Sequence, residues 1–236
     1  MVSNTSMIPI KDNITARSFP IITVSVIFVN VLIFMWQKFA FMGIDSHAIN
    51  ALYKYYGSYG FVPIELSMAI ESRHDLLPYN ILTMFTSMFL HGGFFHLAGN
   101  MLYFWIFGNS IEDAVGHKKF LLFYLLSGIV AAIFQFLSDT SSNIPMIGAS
   151  GAVSGTLGAY LLLYPYAKIK TILLIVVFIK VAELPAILLL SAWFLLQLLF
   201  SNGEGVAWYA HIGGFIFGLL SIKLFHPIVR PILRKK

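Results

Sequence analysis

Long apolar runs, broken by short polar or basic clusters, set the pattern of this chain. The first run, residues 19–41, is about 23 residues long. At about 1.5 Å per helical residue it can cross a hydrocarbon core of about 30 Å. It exceeds the 7–15-residue core of a signal peptide, and no A-x-A-like cleavage pattern follows it, so it reads as a true first span. Further apolar runs predict helices at about 93–110, 119–137, 150–164, 185–200 and 206–225. A long mixed loop, 42–92, separates the first span from the second. The stretch 171–179 is apolar but short, and Lys180, Glu183 and Pro185 interrupt it. It is expected as a partly buried or interfacial loop. The fold class that follows is all-α, a polytopic membrane protein with a six-transmembrane-helix bundle. Residues 1–18 form a short N-terminal segment, 19–225 the six-span domain, and 226–236 a basic tail.

Composition strengthens this picture. Of 236 residues 58% are hydrophobic and only 11% charged, too little polar surface for a soluble domain of this size. The net charge of +5 could suggest a nucleic-acid partner, but the basic residues sit between the apolar runs, as orienting charges do. No nucleic-acid partner is expected. With six spans, Lys11, Arg17, Lys118, Lys119, Lys168, Lys170, Lys180, Lys223, Arg230, Arg234, Lys235 and Lys236 share one side, and only Lys38, Lys54 and Arg73 lie opposite. Both termini are therefore placed in the cytoplasm, with a bacterial inner (plasma) membrane as the expected location. The chain has no cysteine, which removes disulfides and thiolate nucleophiles.

Polar residues inside spans are costly, so each is a candidate for function. Ser150 opens the fourth span, within Gly148-Ala149-Ser150-Gly151. His211 lies about five residues into the sixth, at a depth of about 8 Å, within Ala210-His211-Ile212-Gly213-Gly214. His96 and Asn100 lie in the first turns of the second span, four apart and so on one helical face. The topology sets all four near the outer end. The fourth span is short, so its N-terminus, with unpaired N–H groups and partial positive charge, lies in a recess suited to a developing oxyanion. Gly151 and Gly155 match the spacing of Gly214 and Gly218. If those faces meet, Ser150 and His211 come together. A histidine at hydrogen-bond distance can take the serine proton and return it to a leaving amine. The same residues also fit plain helix packing: the glycines as a small-residue stripe, and Ser150 and His211 as interhelical hydrogen-bonding groups. No acid is placed to complete a triad. Glu112, Asp113 and Glu183 fall at the other end, and Glu204 is expected at the surface. The pair is therefore expected as a dyad, with packing holding the imidazole. His91 reads as a structural loop histidine.

From about residue 77 to 220 the motifs, in order, resemble those of the rhomboid family of intramembrane proteases. They are His91-Gly92-Gly93-Phe94-Phe95-His96-Leu97-Ala98-Gly99-Asn100-Met101, then Gly108 and Glu112, then Gly148-Ala149-Ser150-Gly151, then Ala210-His211-Ile212-Gly213-Gly214. The resemblance implies Ser150 as nucleophile, His211 as base, and His96, Asn100 and the Ser150 N–H as oxyanion donors. It implies a helical bundle with a water-filled cavity opening outward, a first loop partly in the membrane, and a fifth span that gates lateral access of substrate helices. It departs at Ser154, where some members carry an aromatic that stacks on the catalytic histidine.

The expected activity is serine-type endopeptidase cleavage of single-span membrane proteins near the outer face, through an acyl-enzyme, with the lipid bilayer as partner and without cofactor or metal. The alternative is a catalytically inactive relative that binds transmembrane segments. A transporter would call for repeated halves. A zinc protease using His91, His96 and His211 would lack the His-Glu-x-x-His pair.

Overall fold

The computed structural model describes residues 5–42, 46–175, 178–199, 201 and 206–226. In chain order its elements are β1 (Thr5–Asp12), α1 (Ile21–Ala40), α2 (Ser46–Tyr59), α3 (Pro63–Glu71), α4 (Leu77–Thr86), α5 (Phe94–Tyr103) and α6 (Asn109–Val115). There follow α7 (His117–Ser138), α8 (Ser150–Leu163), β2 (Lys168–Ile175), β3 (Phe178–Pro185), α9 (Ala186–Leu199) and α10 (Trp208–Phe225). A π-helical stretch, Phe104–Gly108, joins α5 to α6.

Apolar runs become helices because a chain in hydrocarbon must satisfy its backbone N–H and C=O groups internally. Six helical rods, α1, α5–α6, α7, α8, α9 and α10, stand where the six spans were expected. The second continues to Val115, past its expected end at 110. Among the described residues, α1, α7 and α10 are each long and apolar enough to cross a membrane. Phe94–Val115 passes only together with His74–Phe89, to which it is bent by 87°. α8 and α9 are apolar but have 14 residues each, about 21 Å of helix.

α8 sits at the centre, with Gly151 to Tyr160 buried without interruption. It lies flush against α10 because glycines remove the side chains between them. A Cβ on Gly218 would overlap Gly155 O, one on Gly214 would overlap Gly151 O, and one on Gly158 would overlap Phe215 O. α7 closes the third side, its Ser127 and Ala131 resting on Gly155 and Gly151. α1 packs a stripe of Thr23, Val26, Asn30, Phe34 and Gln37 against the bundle. Its N-terminus is held by two acids from α6. Glu112, fully buried, accepts from Ile22 N, Thr23 N and Thr23 Oγ1 at 2.7–2.8 Å, while Asp113 accepts from Arg17 N, Ser18 N and Ser18 Oγ. Free N–H groups and the helix dipole favour carboxylates there.

The helical bundle carries one addition that the hydropathy pattern did not reveal. Residues 171–175 and 178–179 are strand rather than loop: β2 and β3 pair antiparallel, and β1 pairs with β2, giving a three-stranded sheet in the order β1-β2-β3. The N-terminal segment is therefore partly a strand. Ile169 and Thr171 are buried while Lys168 and Lys170 are exposed, so the sheet has one face on the bundle and one outward. Asp12 locks β1 in place by accepting from Ser110 Oγ on α6 and Tyr160 Oη on α8, both at 2.8 Å. Burial raises its carboxyl pKa, and the two hydroxyl hydrogen bonds offset that rise only in part. The expected loop 42–92 folds into α2, α3 and α4 with short turns. Residues 202–205, including Glu204, and the basic stretch 227–236 lie outside the described residues.

Candidate active site

Ser150 is the first residue of α8, and the backbone before it makes a sharp turn. Gly148 has φ +119°, in the left-handed range that favours glycine, and its N–H bonds Ser87 O at 2.9 Å. A side chain there would also strike His96, whose Nε2 lies 2.7 Å from the position of a Cβ. The turn thus presents Ser150 beside α5 and α10 at once.

His211, in the first turn of α10, meets it. His211 Nε2 and Ser150 Oγ are 2.8 Å apart. The close α8–α10 contact fixes this pairing, since both residues lie at the same end of the two glycine-matched helices. The backbone beside His211 is held as well: Gln135 Oε1 on α7 accepts from Ala210 N at 3.3 Å.

The imidazole is not held by packing alone, as the sequence suggested. His211 Nδ1 lies 2.8 Å from Gln197 Oε1 on α9. Aromatic neighbours are Trp193, with ring centroids 6.0 Å apart, and Trp208, at 6.3 Å and nearly perpendicular. Ser154 makes no such contact. Its hydroxyl donates to Ser150 O at 2.6 Å within α8. Gln197 is a functional candidate that the motifs do not mark, although its signal is in the sequence: an amide in an otherwise apolar span is costly unless paired.

His96 and Asn100 face the same space from α5. Gly92 N donates to His96 Nδ1 at 3.4 Å, so that nitrogen is the acceptor and Nε2 carries the proton, toward Gly148. Asn100 Nδ2 gives one hydrogen to His96 O at 3.0 Å, leaving its second free, and the same atom lies 3.8 Å from the position of a Gly148 Cβ. Both side chains can therefore donate near Ser150. α8 begins at Ser150, and the first N–H groups of a helix have no partner within it. His91 is fully buried with its ring edge-on to that of His96, centroids 5.1 Å apart, and its backbone is bracketed by Gln37 of α1. Glu112 and Asp113 serve the N-terminus of α1, away from His211.

These groups line one cavity of about 1090 Å³, which reaches Ser150, His211, His96, Asn100, Trp193 and Gln135. It is large enough for an extended peptide segment with water. A serine hydroxyl on an imidazole, with donor side chains lining the same cavity, is an arrangement that can support acyl transfer. Among the described residues no group of three or more His, Cys, Asp or Glu side chains is placed to hold a metal ion.

Residues 78–228 match the family model described as Rhomboid domain. Among similar proteins, Rhomboid protein 1, mitochondrial, of Saccharomyces cerevisiae is 34% identical over 145 residues, covering 57% of this chain and 39% of its own. Presenilin-associated rhomboid-like protein, mitochondrial, of Bos taurus is 29% identical over 150 residues, covering 62% and 38%. Rhomboid protease GluP of Bacillus subtilis is 44% identical over 78 residues, covering 33% and 15%. The chain thus spans well under half the length of the relatives it matches.

Proposed function

The chain belongs to the rhomboid family, and from that premise we propose that it is an intramembrane serine endopeptidase that cleaves transmembrane segments of single-span membrane proteins. The 2.8 Å contact between Ser150 Oγ and His211 Nε2 carries the proposal. Ser150 Oγ attacks the scissile carbonyl carbon while His211 Nε2 takes the hydroxyl proton. The resulting oxyanion is met by His96 Nε2–H, the free hydrogen of Asn100 Nδ2 and the Ser150 N–H. His211 then protonates the leaving amine, and an ester to Ser150 remains. Water gives a proton to His211 and attacks the ester carbonyl; the bond from that carbon to Ser150 Oγ then breaks, and His211 returns the proton to Oγ. Substrates with helix-breaking residues near the cut suit this site, because a peptide bond inside an intact helix is shielded by its own hydrogen bonding.

We take all six rods as membrane crossings, with both termini on the basic side. The site then opens toward the opposite face. The relatives named above include two mitochondrial proteins and one bacterial protein. The multi-pass arrangement is common ground for either membrane, and a fluorescent fusion expressed in the native cell assigns the compartment.

The test compares wild type with Ser150→Ala and His211→Ala on a model transmembrane substrate in proteoliposomes. Both variants should lose cleavage by at least about a thousandfold, and a fluorophosphonate should label wild type but not Ser150→Ala. Equal cleavage by wild type and Ser150→Ala sinks the proposal. Binding of the substrate without cleavage or labelling favours the inactive transmembrane-segment binder instead.

A further inference from the structure

Gln197 is the one polar group from α9 found on the imidazole, and α9 holds to the bundle through few side chains. Its buried residues are Ala186, Leu189, Leu190 and Gln197, while Leu188, Leu195, Leu196, Leu198 and Leu199 are exposed. Gln197 is itself only 6% exposed, and both ends of its amide are satisfied. Nε2 donates to Trp193 O at 3.2 Å, one turn back on α9. A carbonyl oxygen only accepts, so the NH2 end must lie there and the oxygen must face His211. The oxygen also only accepts. The proton of the neutral imidazole therefore sits on Nδ1, 2.8 Å away, and Nε2 is bare toward Ser150 Oγ.

We propose that Gln197 is a positioning residue that fixes His211 in the base-competent tautomer, and that it makes this competence depend on α9 being seated against α10. The proposal rests on the Ser150–His211 protease reading. A neutral amide oxygen does for this imidazole what a carboxylate does in a triad, orienting the ring and choosing its tautomer, without placing a second charge in an apolar surrounding. The opposite tautomer would point a proton at Ser150 Oγ and leave Gln197 Oε1 facing a lone pair.

The test uses Gln197→Leu, which removes the acceptor at similar size, and Gln197→Glu, which keeps it. Turnover is normalised to the folded fraction from thermal unfolding in detergent. Gln197→Leu should lower kcat about 10- to 100-fold with KM little changed. It should slow fluorophosphonate labelling of Ser150 in parallel, since labelling needs the base but no substrate helix. Gln197→Glu should restore most of the labelling rate. Its acidic limb of the kcat–pH profile should move to higher pH, because a carboxylate favours the imidazolium. A mere packing role would change thermal stability or KM while leaving the labelling rate per folded molecule and the acidic limb unmoved, and that result overturns the proposal. If wild type and Ser150→Ala are equally inert, the protease reading itself fails. If wild type is active and Gln197→Leu matches it, only the role of Gln197 fails.

Discussion

Gly155 and Gly218 meet where a methyl group has no room, since a Cβ on Gly218 would run into Gly155 O and its carbonyl carbon. Those atoms are backbone, so only separation of α8 and α10 relieves the overlap. Gly218→Ala is expected to lower stability by about 1–3 kcal/mol, read as thermal unfolding in detergent. Gly99 has nothing within 4 Å of a Cβ, so Gly99→Ala should leave stability unchanged or raise it by a few tenths of a kcal/mol up to about 1. Equal loss in both variants would show that the contact does not hold the helices. At this scale much of the candidate site was legible. Ser150, His211, His96 and Asn100 betray themselves because a polar group in an apolar span needs a reason. The same rule applies to Gln197, but a neutral amide in an apolar span does not stand out as a partner for an imidazole in the way an acid does. That His96 turns Nε2–H toward Gly148 was beyond the sequence, since it depends on the distant turn at Gly92 and on the positive φ of Gly148.

Among the elements, α1 and α6 are joined by a carboxylate. Glu112 is fully buried and meets two backbone N–H groups and a hydroxyl of α1, and its Oε1 lies 2.6 Å from His117 Nδ1. Glu112→Ala strands those buried donors. It is expected to cost about 3 kcal/mol, with amide exchange at Ile22 and Thr23 accelerated ahead of the rest of α1. Unchanged exchange there would show that α1 needs no such anchor. The positions of the six rods were readable from hydropathy to within a few residues, because apolar solvent leaves a helix as the economical choice. The partner of Glu112 was not, as its donors lie some ninety residues upstream. The sheet was missed for a similar reason. Its two-residue alternation is short, Lys168 and Lys170 out with Ile169 and Thr171 in, and β1 pairs with a strand on the far side of α8 in sequence.

For the molecule as a whole, β1 closes one end of the bundle and the cavity opens elsewhere, and the closure carries a titratable group. The Asp12 carboxyl has its pKa raised by burial in the folded state. The folded protein therefore holds this proton more tightly than the unfolded chain does. Its contribution to stability is full below the ordinary carboxylate range and is lost as pH rises through the raised value. Asp12→Asn keeps an oxygen for Ser110 and Tyr160 but cannot titrate. The wild-type Tm should fall relative to that of Asp12→Asn as pH rises above the ordinary carboxylate range, and parallel curves would exclude the effect.

The sheet also sets what α9 can do. β3 runs straight into α9, and at the join Ala186 N bonds Ala167 O and Ile187 N bonds Pro165 O, both at 2.8 Å. That makes a fixed pivot, and the rest of α9 is a lever arm. Gln197 lies eleven residues along it, about 16 Å from the pivot. A tilt of about 10° carries the Gln197 end about 3 Å sideways, enough to break a hydrogen bond while hardly disturbing the sheet. On the protease reading proposed above, any tilt of this arm away from α10 withdraws Gln197 Oε1 from His211 Nδ1, and the pair re-forms only when the arm returns.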